Sequence, residues 1–148
     1  STYKFQENLE LLNKLPLDII QTNYNIFDRR LENFELKKMI DPNIEIFARS
    51  IFLQGILVNA PSKLPIYFKQ FSEILENWYD FLKKNNYDAI HYCINFVLSN
   101  DSIDKIVIGV DDFTQFKKIV AYDNKTNYKK ISFDKVLPLE LINPPSWN

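Results

Sequence analysis

Only two glycines occur in these 148 residues, Gly55 and Gly109, so neither GxGxxG nor the Walker pattern can be written anywhere in the chain. One cysteine, Cys93, excludes an intrachain disulfide framework. Its neighbours Ile90, Ile94 and Val97 point to a buried thiol. One histidine, His91, lies on a helix and gives no metal signal. It reads as a helix-surface or capping residue. Excess charge is missing too: 18 Lys and Arg against 19 Asp and Glu leave a net charge of −1, with no bias towards nucleic acid or an anionic membrane. Lys125, Lys129 and Lys130 are interleaved with Tyr122, Tyr128 and Phe133, but nearby acids make this a solvated surface rather than a nucleic-acid face. The most apolar stretch, Ile44 to Val58, is broken by Glu45, Arg49 and Gln54, so no membrane span is expected. No charged-then-apolar leader opens the chain, and a reducing cytoplasmic setting is the default expectation.

What is present is a folded composition, 46% hydrophobic, 15% aromatic and 25% charged. It is arranged as alternating helical and strand patterns. Phe5, Leu9, Leu12 and Leu15 form one helical stripe, ended by Pro16 ahead of an apolar strand, Leu17 to Gln21. Leu31, Phe34 and the Met39/Ile40 pair suit a helix over about residues 29 to 39, Asp41-Pro42 turns the chain, and Ile44 to Ala48 is the next strand. The segment from Ala60 to Pro65 is a loop. Phe68, Phe71, Leu75, Trp78 and Leu82 lie on a longer helix ended by Asn85-Asn86, and another helix carries Ala89, Ile90, Cys93, Ile94 and Val97. A third strand, Ile103 to Val110, leads into a helix starting near Asp111 or Asp112, either of which can cap it. Residues 122 to 148 read as an appendage, with a short helix near Ser132 to Val136, packed by Leu137, Leu139, Leu141 and Trp147.

Alternating units of this kind predict parallel strands. The fold class is α/β: a partial TIM-type (β/α) barrel of about three parallel strands with covering helices, as a single domain over 1–148 and an appendage at 122–148. A strand buried on both faces is a continuous apolar run, and in (β/α) barrels the functional groups stand at its C-terminal end. Gln21, Asn23, Arg49 and Ser50 occupy such ends. Asp28, Arg29, Arg30 and Glu32 form a dense cluster best read as an ion-pair network at a strand–helix junction.

Three blocks in order, IIQTNYNIFDRRLE from Ile19, FARSIFLQGIL from Phe47 and the strand Lys105-Ile-Val-Ile-Gly-Val110, resemble the C-terminal half of the aldo-keto reductases. The resemblance runs from Ser1 to about Ala121. It implies an oxidoreductase that reduces an aldehyde or ketone with NADPH or NADH. A complete eight-stranded barrel needs about 250 residues, so the resemblance also implies a missing half that carries the family's catalytic Tyr, Lys, His and Asp. Tyr24, Lys63, His91 and Asp28 are the same residue types in the wrong blocks, so no catalytic residue is assigned and the chain alone is expected to be inactive. A small carbonyl substrate is expected only with that half present. A truncated reading frame and a natural half-length protein both fit.

The implied role of this half is the cofactor bed. Ser1 resembles the serine that holds the nicotinamide carboxamide at the end of the family's fifth strand. Gln21 resembles its glutamine partner, an amide offering donor and acceptor together; a solvated strand-end glutamine is the alternative. Arg49 stands where relatives often stack an aromatic residue on the nicotinamide ring, and a guanidinium can stack, bind phosphate or pair with an acid such as Glu45. Ser50, Phe52 and Gly55 follow the pyrophosphate in the family, although Gly55 also suits a plain loop. Gly109, Asp111 and Gln115 match the adenosine end. There Asp111 and Asp112 replace the cations that hold a 2′-phosphate and lean towards NAD, and Ile119 replaces a family asparagine. The rival reading is a non-catalytic scaffold or regulatory protein that self-associates through the open half-barrel face, since fold alone does not choose a function.

Overall fold

The structure, a computed structural model, describes residues 14–33, 43–124, 127–133 and 137–147. Ser1, the expected first helix and the greater part of the expected helix at 29–39 lie outside the described residues. The chain divides into two compact units, one of residues 1–51 and 96–110, the other of residues 52–95 and 111–148.

The first unit holds a sheet of three strands, β1 (Ile19–Asn23), β2 (Glu45–Arg49) and β3 (Lys105–Ile106), in the order β1-β2-β3 and parallel throughout. Ile20 pairs with Ile46, Gln21 with Phe47 and Asn23 with Arg49, while Phe47 pairs with Lys105 and Ala48 with Ile106. Since side chains alternate between faces, Ile20, Thr22, Ile46 and Ala48 share one face, and all four are buried. The opposite face carries Ile19, Gln21, Asn23, Glu45, Phe47, Arg49 and Lys105. Ile19 there is 48% exposed. Gln21, Glu45, Phe47 and Arg49 there are half-buried, and Asn23 is buried. That face is not purely apolar, however: the Lys105 ammonium lies 2.9 Å from a Glu45 carboxylate oxygen and 5.0 Å from the centre of the Phe47 ring.

Two strand boundaries differ from the sequence reading. β1 begins two residues later and runs on to Asn23, because its apolar run is carried into the polar tip by pairing with β2. β3 is far shorter than the expected Ile103 to Val110. After Ile106 only the Val107 amide still donates to β2, at the Ala48 carbonyl (2.8 Å), and Val107 and Val110 are exposed. The start of β3 is fixed by Asp104, whose carboxylate accepts from the Ile46 amide at 2.8 Å while its own amide donates to the Ile46 carbonyl at 2.9 Å. Only a single 3₁₀ turn, Arg30–Asn33, is described within the expected helix at 29–39.

In the second unit, α1 (Ser72–Asn85) buries Leu75, Trp78 and Leu82, the expected stripe. It is entered through a 3₁₀ segment, Ile66–Phe71. It ends as anticipated at Asn86, left-handed at φ 54°, beyond which the Tyr87 amide reaches back to the Leu82 carbonyl at 2.9 Å. The Trp78 indole donates to the Leu57 carbonyl at 3.0 Å. Next comes α2 (Ala89–Leu98), on which Cys93 is fully buried as expected. After α3 (Phe113–Val120) the tail forms a short α4 (Leu139–Ile142). The helix foreseen at Ser132 to Val136 is absent at Ser132 and Phe133, and its remainder lies outside the described residues. Leu141 is buried, but Leu139 is exposed. Trp147 holds the tail through an indole bond to the Glu140 carbonyl (2.9 Å) and an edge contact with Phe68 at 4.9 Å.

Candidate functional site

The tips of β1 and β2 are joined by backbone and side chain together. The Tyr24 amide donates to the Arg49 carbonyl at 3.3 Å, and the Asn25 side-chain nitrogen donates to the Ser50 carbonyl at 3.0 Å. The Asn25 side-chain oxygen accepts from the amides of Phe27 (3.0 Å) and Asp28 (2.8 Å), an Asx turn that bends the chain sharply after β1. Ser50 answers with a left-handed backbone, φ 56°. Sequence reading did not single out Asn25. An asparagine before a charged run is a weak turn signal, and nothing in the sequence says that its other end reaches the next strand.

Behind this junction Asp28, almost wholly buried, grips Arg30 with two bonds, Nε to Oδ1 at 2.7 Å and Nη2 to Oδ2 at 2.6 Å, and holds the guanidinium above its ordinary pKa. Arg29 donates through Nε to the Ile26 carbonyl at 3.1 Å and lies 4.8 Å over the Phe96 ring, on which Tyr24 stacks at 5.3 Å. The Tyr24 hydroxyl donates to Glu32 at 2.6 Å. Burial, followed by that bond to Glu32, pushes its pKa upward. The charged cluster is thus a structural network, as the sequence suggested.

Four implied contacts fall in this first unit. Gln21 and Asn23 share a face of β1, Arg49 is the register partner of Asn23, and an Arg49 terminal nitrogen lies 3.3 Å from the Ser50 hydroxyl. Gly109 follows β3 in a region where a Cβ would meet nothing within 4 Å. The side-chain oxygen of Asn23, 7% exposed as a residue, has no hydrogen-bond partner among the described residues.

Phe52, Gly55, Asp111 and Gln115 fall in the second unit. Gly55 has φ +84°, a conformation that favours glycine, and a Cβ there would also sit 2.7 Å from the Asn59 side-chain nitrogen Nδ2. Its carbonyl accepts from the Val58 and Asn59 amides and the Asn59 side chain. Asp112 caps α3, its carboxylate accepting from the Gln115 amide at 2.8 Å, and the Gln115 side-chain oxygen accepts from the Asp111 amide at 2.9 Å. The two side chains close on each other in a variant of the capping box.

The residue types that might suggest an acid–base set are otherwise engaged. Besides Tyr24 and Asp28, the His91 ring nitrogen Nε2 lies 2.8 Å from the Lys118 carbonyl, the surface role expected of it. Lys63 sits exposed in a 3₁₀ turn. Among the described residues no group of three His, Cys, Asp or Glu could hold a metal, and no helix is long and apolar enough to cross a membrane.

A three-stranded parallel sheet with one buried face, and with helices between β2 and β3, defines part of a (β/α) barrel. The sequence matches the family model of the Aldo/keto reductase family over residues 2–136, and the chain belongs to that family. Among solved structures, the fold is similar to the aldo-keto reductase AKR11C1 from Bacillus halodurans in its holo form, with TM-score 0.59 and 17% identity over 85% of this chain and 42% of that one. It is also similar to the glycerol dehydrogenase AKR11B4 from Gluconobacter oxydans, with TM-score 0.51 and 17% identity over 86% of this chain and 50% of that one. No curated protein matches the sequence. The chain spans half or less of the length of these two structures.

Proposed function

We propose that this chain is the nicotinamide side of the cofactor bed of an NAD-preferring carbonyl reductase, without the proton-donating set that completes the reaction. The carrying observation is the β1–β2 register, which sets Gln21, Asn23, Arg49 and Ser50 at neighbouring strand ends on one sheet. The residues fit the nicotinamide end: amides and a guanidinium suit a carboxamide and an aromatic ring. Ser1 is carried over by resemblance alone.

The adenosine end fits NAD better than NADP. Asp111 and Asp112 are exposed at the start of α3, where a phosphate dianion would be repelled and a free ribose hydroxyl would find acceptors. When bound, the cofactor would supply the hydride. This chain would bind it, orient its ring and cover one face. Phe52, Gly55, Gly109 and Gln115 are carried over by resemblance alone.

Titrating the chain with NADH and NADPH, followed through Trp78 and Trp147 fluorescence, tests this reading. Saturable binding with NADH preferred is expected, together with no turnover on a panel of aldehydes and ketones. Absence of binding, or turnover well above blank, contradicts it.

One observation favours a second reading, assembly without catalysis. Phe113 and Val120 on α3 are 67% and 63% exposed, a spacing that leaves an apolar stripe in water. A defined oligomer in sedimentation, together with no dinucleotide binding, would favour it over the first.

A further inference from the structure

In the second unit the tail runs back along α1 in the opposite direction. Near the end of α1, Tyr87 and Tyr92 pack on Phe81 at 6.0 and 5.4 Å, and their hydroxyls pin the tail. The Tyr87 oxygen accepts from the Lys129 amide at 3.0 Å, and the Tyr92 oxygen accepts from the Ile131 amide at 3.1 Å while donating to the Lys129 carbonyl at 2.8 Å. At the entry to α1 the Tyr67 hydroxyl donates to the Glu140 carbonyl at 3.1 Å. Between these anchorages a cavity of about 700 Å³ lies between α1 and the tail, within the range of about 300–1,000 Å³ that small ligands occupy.

Glu73, Asn77 and Phe81 line the cavity from one face of α1, each a turn beyond the last. Glu73 stands in the first turn, whereas Lys130 lies on the tail between the residues pinned beside Phe81, so the two charges are separated by roughly 12 Å along the helix axis. Both are exposed, and neither side chain has an ion pair or hydrogen bond among the described residues. The wall between them is apolar, from Ile74, Ile131, Phe133 and Leu137. A carboxylate at one end, an ammonium at the other and an apolar wall between complement a molecule with the reverse charges at a like separation. A fatty acid answers only one of the charges. An extended peptide advances about 3.3–3.6 Å per residue, so three residues hold a free ammonium and a free carboxylate at about the required span. We propose that this groove binds a short free peptide of about three apolar residues, its ammonium on Glu73 and its carboxylate on Lys130. The Asn77 amide, donor and acceptor together, meets the peptide backbone between them. The proposal is independent of the cofactor reading, because none of these residues belongs to the dinucleotide bed.

Isothermal titration of the full chain with trileucine, and with trileucine acetylated at its amino end and amidated at its carboxyl end, tests the proposal. The free peptide should bind one to one and the blocked form about tenfold more weakly, the difference that two exposed ion pairs give. Raising the salt should narrow that gap. Glu73→Lys and Lys130→Glu each set like charges against one end of the peptide and should abolish measurable binding, whereas the two substitutions together should restore it with the peptide reversed. Melting temperatures without ligand serve as the control for folding. If Glu73→Lys fails to fold, Glu73→Gln is read in its place, with a loss of about threefold expected. No saturable binding of trileucine to the wild type overturns the proposal. Equal affinity for the free and blocked peptides does so too, as does a double variant that binds no better than either single one.

Discussion

The Asn25 side chain donates to the Ser50 carbonyl across 3.0 Å, and that bond couples the turn after β1 to the left-handed turn after β2. Asn25 is completely buried and makes three side-chain bonds. Asn25→Ala leaves two amides and a carbonyl without those partners, at a cost of about 2–4 kcal/mol. Chemical denaturation should show this as a lower midpoint with an unchanged slope. Dinucleotide affinity should fall with it, because Ser50 loses its anchor. A variant as stable as the wild type would contradict the role given to this bond.

The two glycines should respond oppositely. Gly55→Ala forces a side chain into a positive-φ conformation beside Asn59, at a cost of about 1–2 kcal/mol. Gly109→Ala meets open space at ordinary φ and should be neutral or raise stability by up to about 1 kcal/mol through the unfolded state. Thermal melts of the two variants check the pair, and equal losses would contradict it.

Asp112→Ala should cost about 1 kcal/mol through loss of the α3 cap, whereas Asp111→Ala, whose carboxylate does not cap the helix, should cost little. Removing both carboxylates should also shift the preference towards NADPH, since the repulsion of a 2′-phosphate disappears. Paired titrations with NADH and NADPH measure the ratio, and an unchanged ratio would place the adenosine end elsewhere.

Alkaline pH should loosen the fold. Burial pushes the Cys93 thiol upward, with the Asp88 charge adding to it, and burial does the same for the Tyr24 and Tyr79 hydroxyls. In the unfolded chain Cys ionises near about pH 8.5 and Tyr near about 10. Above those values the unfolded state holds fewer protons than the folded one, so stability is complete below about pH 8 and falls as pH rises. The fully buried Cys93 adds a slope of up to about 1.4 kcal/mol per pH unit, and the two partly solvated tyrosines add less. Cys93→Ala should delay the decline to the tyrosine range, with melting temperatures across pH 7 to 11 as the measurement. A wild-type curve flat to pH 10 would contradict the burial argument.

The legible parts of this chain were those written in local pattern. The α1 stripe, its Asn86 stop, the α2 run around Cys93 and the cap of α3 all follow from spacing and capping chemistry within about fifteen residues. β3 was overestimated because Ile106 to Val110 is apolar, and apolarity records burial or an absent neighbour equally well; only pairing tells them apart. α4 escaped because Pro138 and Pro144 flank a four-residue helix too short to show a period. At the site, strand-end polarity singled out Gln21, Arg49 and Ser50. The role of Asn25 and the unmet oxygen of Asn23 depend on which residue of another strand stands alongside, and register is not local information.

Backbone amide NMR of the ¹⁵N-labelled chain during NADH addition tests the central claim most directly. The account predicts that the largest shifts fall at Gln21, Asn23, Arg49 and Ser50, saturating with one constant. Shifts confined to other residues, or an unchanged spectrum at saturating NADH, would contradict it.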